Sequence, residues 1–257
     1  MHATRVVQRL IVATVMGFML AGMAASPTLA AAPPRTYSMN LYDARSVRYQ
    51  DPDYTSCVAT SGQMMLNEIA AARTGGPGFH WKISTAYATQ ETLLKYMRAH
   101  MSQVSYHPGT DSHGWKNGLN YFGWGSVNAG VYVDASYSTY TAAAKAAVIA
   151  MAKYHKPIGI IGWSGGHGQF MNGYRVTGDD PATGSTNFTI QGVYITDPLR
   201  SDGYRNHYTT NAQWSSGPSN IRFTRYAYYD DPGRDAIDHG IGNVQWYHRW
   251  VMVVPVK

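Results

Sequence analysis

A single cysteine in 257 residues leaves Cys57 with no partner inside the chain, so no intrachain disulfide holds this fold. Charge is equally sparse. Only 14% of residues are Asp, Glu, Lys or Arg, and the basic ones are scattered singly. The clustered Lys/Arg stripe that marks a nucleic-acid footprint is missing, which argues against nucleic acid as a partner. Beyond the first thirty residues no segment is long and apolar enough to span a bilayer. There is no internal repeat, no low-complexity run, and nothing of the polar, aromatic-poor composition of a disordered chain. Stability must therefore come from an ordinary buried core.

The N-terminus has a cationic stretch (Arg5, Arg9), an apolar run from Leu10 to Met23 and small residues around Thr28-Leu29-Ala30. That is the pattern of a secretory signal peptide, placed at residues 1–32, so the expected location is secreted or extracellular. Ala31-Ala32-Pro33-Pro34 follows as a short stiff linker. The leader holds two arginines and no acid, so the mature balance is +4, two below the whole chain's +6. Residues 33–257 are enough for one substantial domain.

Periodicity predicts three helices in the first part: 53–72 with Val58, Met65 and Ile69 on one face, 85–101 with Leu93, Leu94 and Met97, and the alanine-rich 140–154. Thr55 or Ser56 is available to cap the first, and Thr74-Gly75-Gly76-Pro77-Gly78 ends it. The Gly- and Asn-rich text at 106–138 reads as loops around a short strand at 131–133. Strands are expected at 158–162, 168–176, 189–195 and 250–256. The second and third of these are joined by a Gly/Asp/Pro-rich turn at 177–185. Helices first and antiparallel strands afterwards is the α+β pattern. The stretch 199–245 carries no assignable pattern.

The position of Cys57 at a predicted helix N-terminus favours thiolate over thiol, and the thiolate is the nucleophile. The same position also suits a small residue buried on the core face of that helix. A cysteine nucleophile needs a base, and the base needs a third group to orient it. His167, in Gly162-Trp163-Ser164-Gly165-Gly166-His167, has glycines that leave its ring unobstructed. Asp197, in Ile195-Thr196-Asp197-Pro198, ends the return strand of the hairpin and can come back beside His167. A carboxylate there would take one ring nitrogen and leave the other for the thiol. Each of these also reads as an ordinary turn residue. His100, His107 and His113 form a loose series without a cysteine partner or metal-type spacing. Asp230, Asp231, Asp235 and Asp238 do not match an EF-hand loop. No metal or cofactor is expected. The Tyr and Trp residues between 226 and 250 suit core packing, or a groove for glycan or peptide.

Three windows together resemble the papain-like cysteine peptidase superfamily, nearest its bacteriocin-processing (double-glycine leader) peptidases and their secreted bacterial relatives. They are Cys57-Val58-Ala59-Thr60-Ser61 running to Asn67, the strand from Lys156 into Gly166-His167 and Asn172-Gly173-Tyr174, and Ile195-Thr196-Asp197-Pro198-Leu199. The resemblance implies a papain-like α+β fold, with a helical lobe carrying Cys57 packed on an antiparallel sheet carrying His167 and Asp197. It implies Cys57 as nucleophile, His167 as general base and acid, and Asp197 as orienting carboxylate. It also implies Gln50 as an oxyanion-binding amide. Gln50 lies one position further upstream than the family spacing, and Val58 stands where many relatives have glycine. The implied activity is hydrolysis of a peptide or isopeptide bond in a peptide or protein substrate, including cell-wall peptide. Two other classes fit the same residues: a catalytically inactive papain-fold binding protein of the cell surface, and a cell-wall amidase or transglutaminase-like acyltransferase.

Overall fold

Ile158-Gly159-Ile160-Ile161-Gly162 is buried at every position, so this strand (β3) must be covered on both faces. Ile158 and Ile160 join a core cluster built on the alanine-rich helix α4 (Tyr140–Tyr154), while Ile161 joins one built on three earlier helices. The computed structural model describes residues 33–50, 55–102, 109–199, 204–227 and 246–257. Among these it is a mixed α+β structure with five α-helices and an antiparallel seven-stranded sheet. The strands are β1 (Thr36–Asn40), β2 (Tyr132–Tyr137), β3, β4 (His167–Gly178), β5 (Phe188–Thr196), β6 (His207–Thr210) and β7 (Trp250–Pro255). Their order is β2-β7-β3-β4-β5-β6, and β1 pairs with the far half of β4. The compact unit runs from Pro34 to Lys257. The residues read as a signal peptide lie outside the described residues, and no described helix is long and apolar enough to cross a membrane.

The strand β4 is the spine. Its first half pairs with β3 (Gly162 opposite His167) and its second half with β1, both on one edge, and β5 lies along the other. Because β4 and β5 are antiparallel, the start of β4 and the end of β5 lie at the same end of the sheet, which brings His167 and Asp197 together.

The first helix, α1 (Cys57–Ala72), starts at Cys57 rather than at residue 53: Thr55 and Ser56 are non-helical, and residues 53 and 54 are not described. Ser56 is at the cap position but its hydroxyl makes no capping bond. The helix ends at Arg73 in the left-handed region (φ 57°), ahead of the Gly/Pro cluster. An apolar stripe describes it poorly, since every residue from Val58 to Ile69 is buried. The expected second and third helices appear as α2 (Tyr87–Ala99) and α4.

The loop reading at 106–138 is overturned by α3 (Ser112–Trp124), capped by the Asp111 carboxylate on the Gly114 N–H. Three interior glycines hide this helix from propensity, each costing about 1 kcal/mol against alanine. They are there for close packing. A Cβ on Gly114 would come 2.5 Å from the Met97 carbonyl oxygen, and one on Gly118 would come 2.6 Å from the Met97 side chain. The unassigned stretch after Leu199 contains β6 and the short helix α5 (Asn211–Ser216), whose Trp214 is fully buried. The acidic positions 230, 231, 235 and 238, and His107, lie outside the described residues.

Candidate active site

Cys57 is the first residue of α1, so its side chain lies at the end of the helix where backbone N–H groups are free and the dipole is positive. The tip of β4 comes hard against it. Gly168 donates its N–H to Cys57 Sγ at 3.4 Å, and a Cβ at Gly168 would lie 2.6 Å from Val58 Cγ2. The valine at position 58 is thus accommodated by a glycine across from it. Ser61, one turn along the helix, donates its hydroxyl to the Gly168 carbonyl at 3.0 Å and fixes the approach.

His167, 4% exposed, directly precedes Gly168, the residue whose N–H meets the Cys57 sulfur. Its Nε2 lies 2.7 Å from Asp197 Oδ2, which leaves Nδ1 for the sulfur. The fully buried Asp197 also accepts the Leu199 N–H on Oδ1 at 2.7 Å. The Trp163 ring stacks on the imidazole with centroids 4.4 Å apart. It is presented by a 3₁₀ turn, Trp163–Gly165, in which three successive residues have positive φ (48°, 57° and 106°). Non-glycine residues in that region carry strain, and here it holds the ring over the histidine.

The electrostatics favour an ion pair. Burial pushes the Cys57 thiol up, but the hydrogen bond and charge of His167, with the Gly168 and Val58 N–H groups, outweigh it and the net direction is down. Burial alone would lower His167, yet the hydrogen bonds to Asp197 and Cys57 and the charges of both carry it well above its ordinary value. The two shifts run in the directions that favour a thiolate–imidazolium pair, whose members titrate as coupled partners rather than independent groups.

Of the four site residues read from sequence, the structure brings Cys57, His167 and Asp197 together. Gln50 joins through its backbone: its N–H donates to the Pro198 carbonyl at 2.8 Å, beside Asp197. Its side chain is buried, and Oε1 has no hydrogen-bond partner among the described residues. Asp51 and Pro52, the link from Gln50 towards the helix, lie outside the described residues.

Two further residues were not read from sequence. Gln169 is fully buried on β4, and hydrogen bonding requires its amide nitrogen to face Asp197 Oδ2 and the Asn220 carbonyl, each at 3.2 Å. The signal was available, because residues two apart on a strand share a face and Gln169 is two beyond His167. Arg205 donates to the Asp197 carbonyl, to Tyr204 O at 2.9 Å and to Leu199 O at 3.3 Å, and lies 4.2 Å over the Tyr49 ring. It ties the Asp197 loop to the residue before Gln50, a long-range contact with no local signature.

No group of three or more His, Cys, Asp or Glu side chains is placed to hold a metal among the described residues. His113 from the histidine series instead lies 3.6 Å from Asp134. No family model matches the chain, and neither does any curated protein or solved structure.

Proposed function

We propose that this chain is a secreted papain-like cysteine hydrolase that cleaves a peptide or isopeptide bond, with peptide, protein or cell-wall peptide as substrate. One observation carries the reading: a helix-terminal thiol that accepts the Gly168 N–H at 3.4 Å, next to a buried histidine whose Nε2 is held 2.7 Å from a buried carboxylate. That arrangement supplies nucleophile, proton carrier and orienter on rigid elements. The Cys57 thiolate attacks the carbonyl carbon. The charge developing on oxygen is met by the Cys57 backbone N–H and the Gln50 amide. The imidazolium of His167 gives its proton to the departing amine as the C–N bond breaks. Water, deprotonated by the same imidazole, then opens the thioester and regenerates the thiol.

Gln50 is buried, and its backbone N–H holds it to the Pro198 carbonyl beside Asp197. The role asks its amide Nε2–H, the donor end of the side chain, to meet the oxyanion.

The test is a tryptic peptide mixture incubated with the wild-type protein and with Cys57→Ala, with products read by mass spectrometry. New termini that depend on Cys57 support hydrolysis. Incorporation of an added primary amine in place of water marks an acyltransferase. If the two proteins give identical products, and Cys57 alkylates at the rate and pH of a free thiol, the hydrolase reading is wrong.

A further inference from the structure

The turn that holds Trp163 over His167 also forms the rim of a second feature. Ser164 borders a cleft of about 430 Å³ whose other walls include Arg222, Thr224, Arg225, His248 and Trp250. Two bonds fasten the rim to the wall. Ser164 N–H donates to Thr224 Oγ1 at 2.6 Å, and Ala227 N–H donates to the Ser164 carbonyl at 2.8 Å. Among the described residues the cleft lining has two guanidinium groups and no acidic residue. Neither arginine forms an ion pair among the described residues. Arg222 Nε is buried without a hydrogen-bond partner among the described residues, while Arg225 lies 4.5 Å over the Trp250 ring. Stacking of that kind pins a guanidinium's plane and leaves its edge free to donate.

We propose that this cleft binds a carboxylate of the peptide substrate, with Arg222 and Arg225 as the donors and Trp163 as the ledge between it and the reacting centre. The assignment of the ligand as substrate rests on the hydrolase reading above. Arginine's planar fork matches a carboxylate in two-bond geometry, and two guanidiniums on one cleft wall, with no ion-pair partner among the described residues, present that fork to a ligand. Ser164 is three residues from His167, which limits their separation to about 11 Å of extended chain. A substrate strand advancing about 3.3 Å per residue thus needs about three to four residues to run from His167 to the rim of the cleft. The carboxylate has two sources in a peptide, an acidic side chain or the free C-terminus.

Binding and cleavage are measured separately, so that each claim stands or falls alone. Cys57→Ala is titrated with three blocked tetrapeptides read by tryptophan fluorescence: one with Glu, its Gln counterpart, and the Gln peptide with a free C-terminus. A carboxylate-bearing probe should bind roughly ten- to hundredfold tighter than the neutral one, the range expected for hydrogen bonds to a charged group. Whichever of the two does so identifies the source. The preference should shrink with added salt, and fall towards unity in Arg222→Gln/Arg225→Gln. Arg225→Gln alone, at an exposed position, should lose part of it if the double variant does not fold. Equal binding of all three probes, or a preference that survives Arg225→Gln undiminished, overturns the carboxylate site. In the wild-type peptide digest, products should carry an enriched carboxylate at one fixed distance from the cut. Cys57-dependent cleavage with no such enrichment removes the cleft from the substrate path. Carboxylate binding with no Cys57-dependent cleavage leaves the cleft in place and removes the hydrolase.

Discussion

The helices α1 and α4 lie in different core clusters, and they are built by opposite rules. α4 buries Ala143, Ala144, Ala147, Val148, Ala150, Met151 and Ala152, with no polar group among them. α1 buries Met64, Met65, Leu66 and Ile69, but also Thr60, Ser61, Gln63, Asn67 and Glu68. Most of these polar groups are spoken for. Thr60 donates to Gln90, Gln63 and Asn67 to the Ser84 carbonyl, and Ser61 to Gly168. A buried hydrogen bond contributes only about 1 kcal/mol net, so this network adds little stability over an apolar interior. What it supplies is direction, since each bond fixes α1 against a particular atom of a neighbouring segment and so fixes where Cys57 points. One helix supports the fold and the other aims a side chain.

That contrast is open to test, and the largest effect should be at the end of α1. Cys57→Ala should lower turnover by at least about four orders of magnitude with little change in melting temperature. His167→Ala should lower it as far while also lowering the melting temperature, because it leaves the buried Asp197 carboxyl without its partner. In the His167 variant the Cys57 alkylation rate should follow an ordinary thiol's pH profile. In the wild-type protein it should stay fast as pH falls, and drop only through the lowered Cys57 value. Next, Gln50→Ala should cost turnover about two to three orders of magnitude while leaving alkylation, which forms no oxyanion, almost unchanged.

Met151→Ala in α4 should behave in the reverse way. Its cavity should cost about 2–5 kcal/mol in denaturant unfolding, yet the alkylation profile of the folded protein should be that of wild type. An altered profile would show that α4 also shapes the site, and the division between the helices would fail. Asp197→Asn should retain more turnover than Asp197→Ala, because an amide oxygen can still accept the ring N–H. Equal loss in both would mean that the negative charge itself is needed.

The smallest and most selective effect concerns Glu68. Burial, with Asp43's charge adding, raises its carboxyl well above 4.5, and Oε2 has no hydrogen-bond partner among the described residues. A folded-state value above the unfolded one means that stability is fullest below about pH 4.5 and is lost as pH rises through the folded value. Glu68→Gln should therefore raise the melting temperature at neutral pH, by about 2–4 °C per kcal/mol recovered, with the gain fading as pH falls below 4.5. A pH-independent difference would mean that Glu68 is ionised in the folded protein.

How much could be read in advance follows the same division. The helix α4 was plain in its alanines and apolar spacing, and β3 in its β-branched run, because local sequence and burial agree there. The trio Cys57, His167 and Asp197 was legible from chain order and neighbouring glycines. Hidden were the features that make sense only in contact. The glycines of α3 look like loop until Met97 is placed against them. Strand β6 is four residues long and too short for a period to show. Arg205 acts through three carbonyls, which leave no trace in side-chain pattern. The cleft draws Ser164, Arg222 and His248 from separate stretches of chain.

The pairing of β4 on both edges has a consequence for how the molecule loses function. Backbone amides hydrogen-bonded within a sheet interior exchange with solvent only through large-scale opening. From Phe170 onward β4 has neighbours on either side, and His167 is attached directly to that stretch. Asp197 follows immediately on β5, the strand alongside. Local breathing of surface loops therefore leaves the base and its carboxylate in register. In a deuterium-exchange experiment the interior amides of residues 170–176 should be among the last to label, and the loss of His167–Asp197 geometry on warming should coincide with global unfolding.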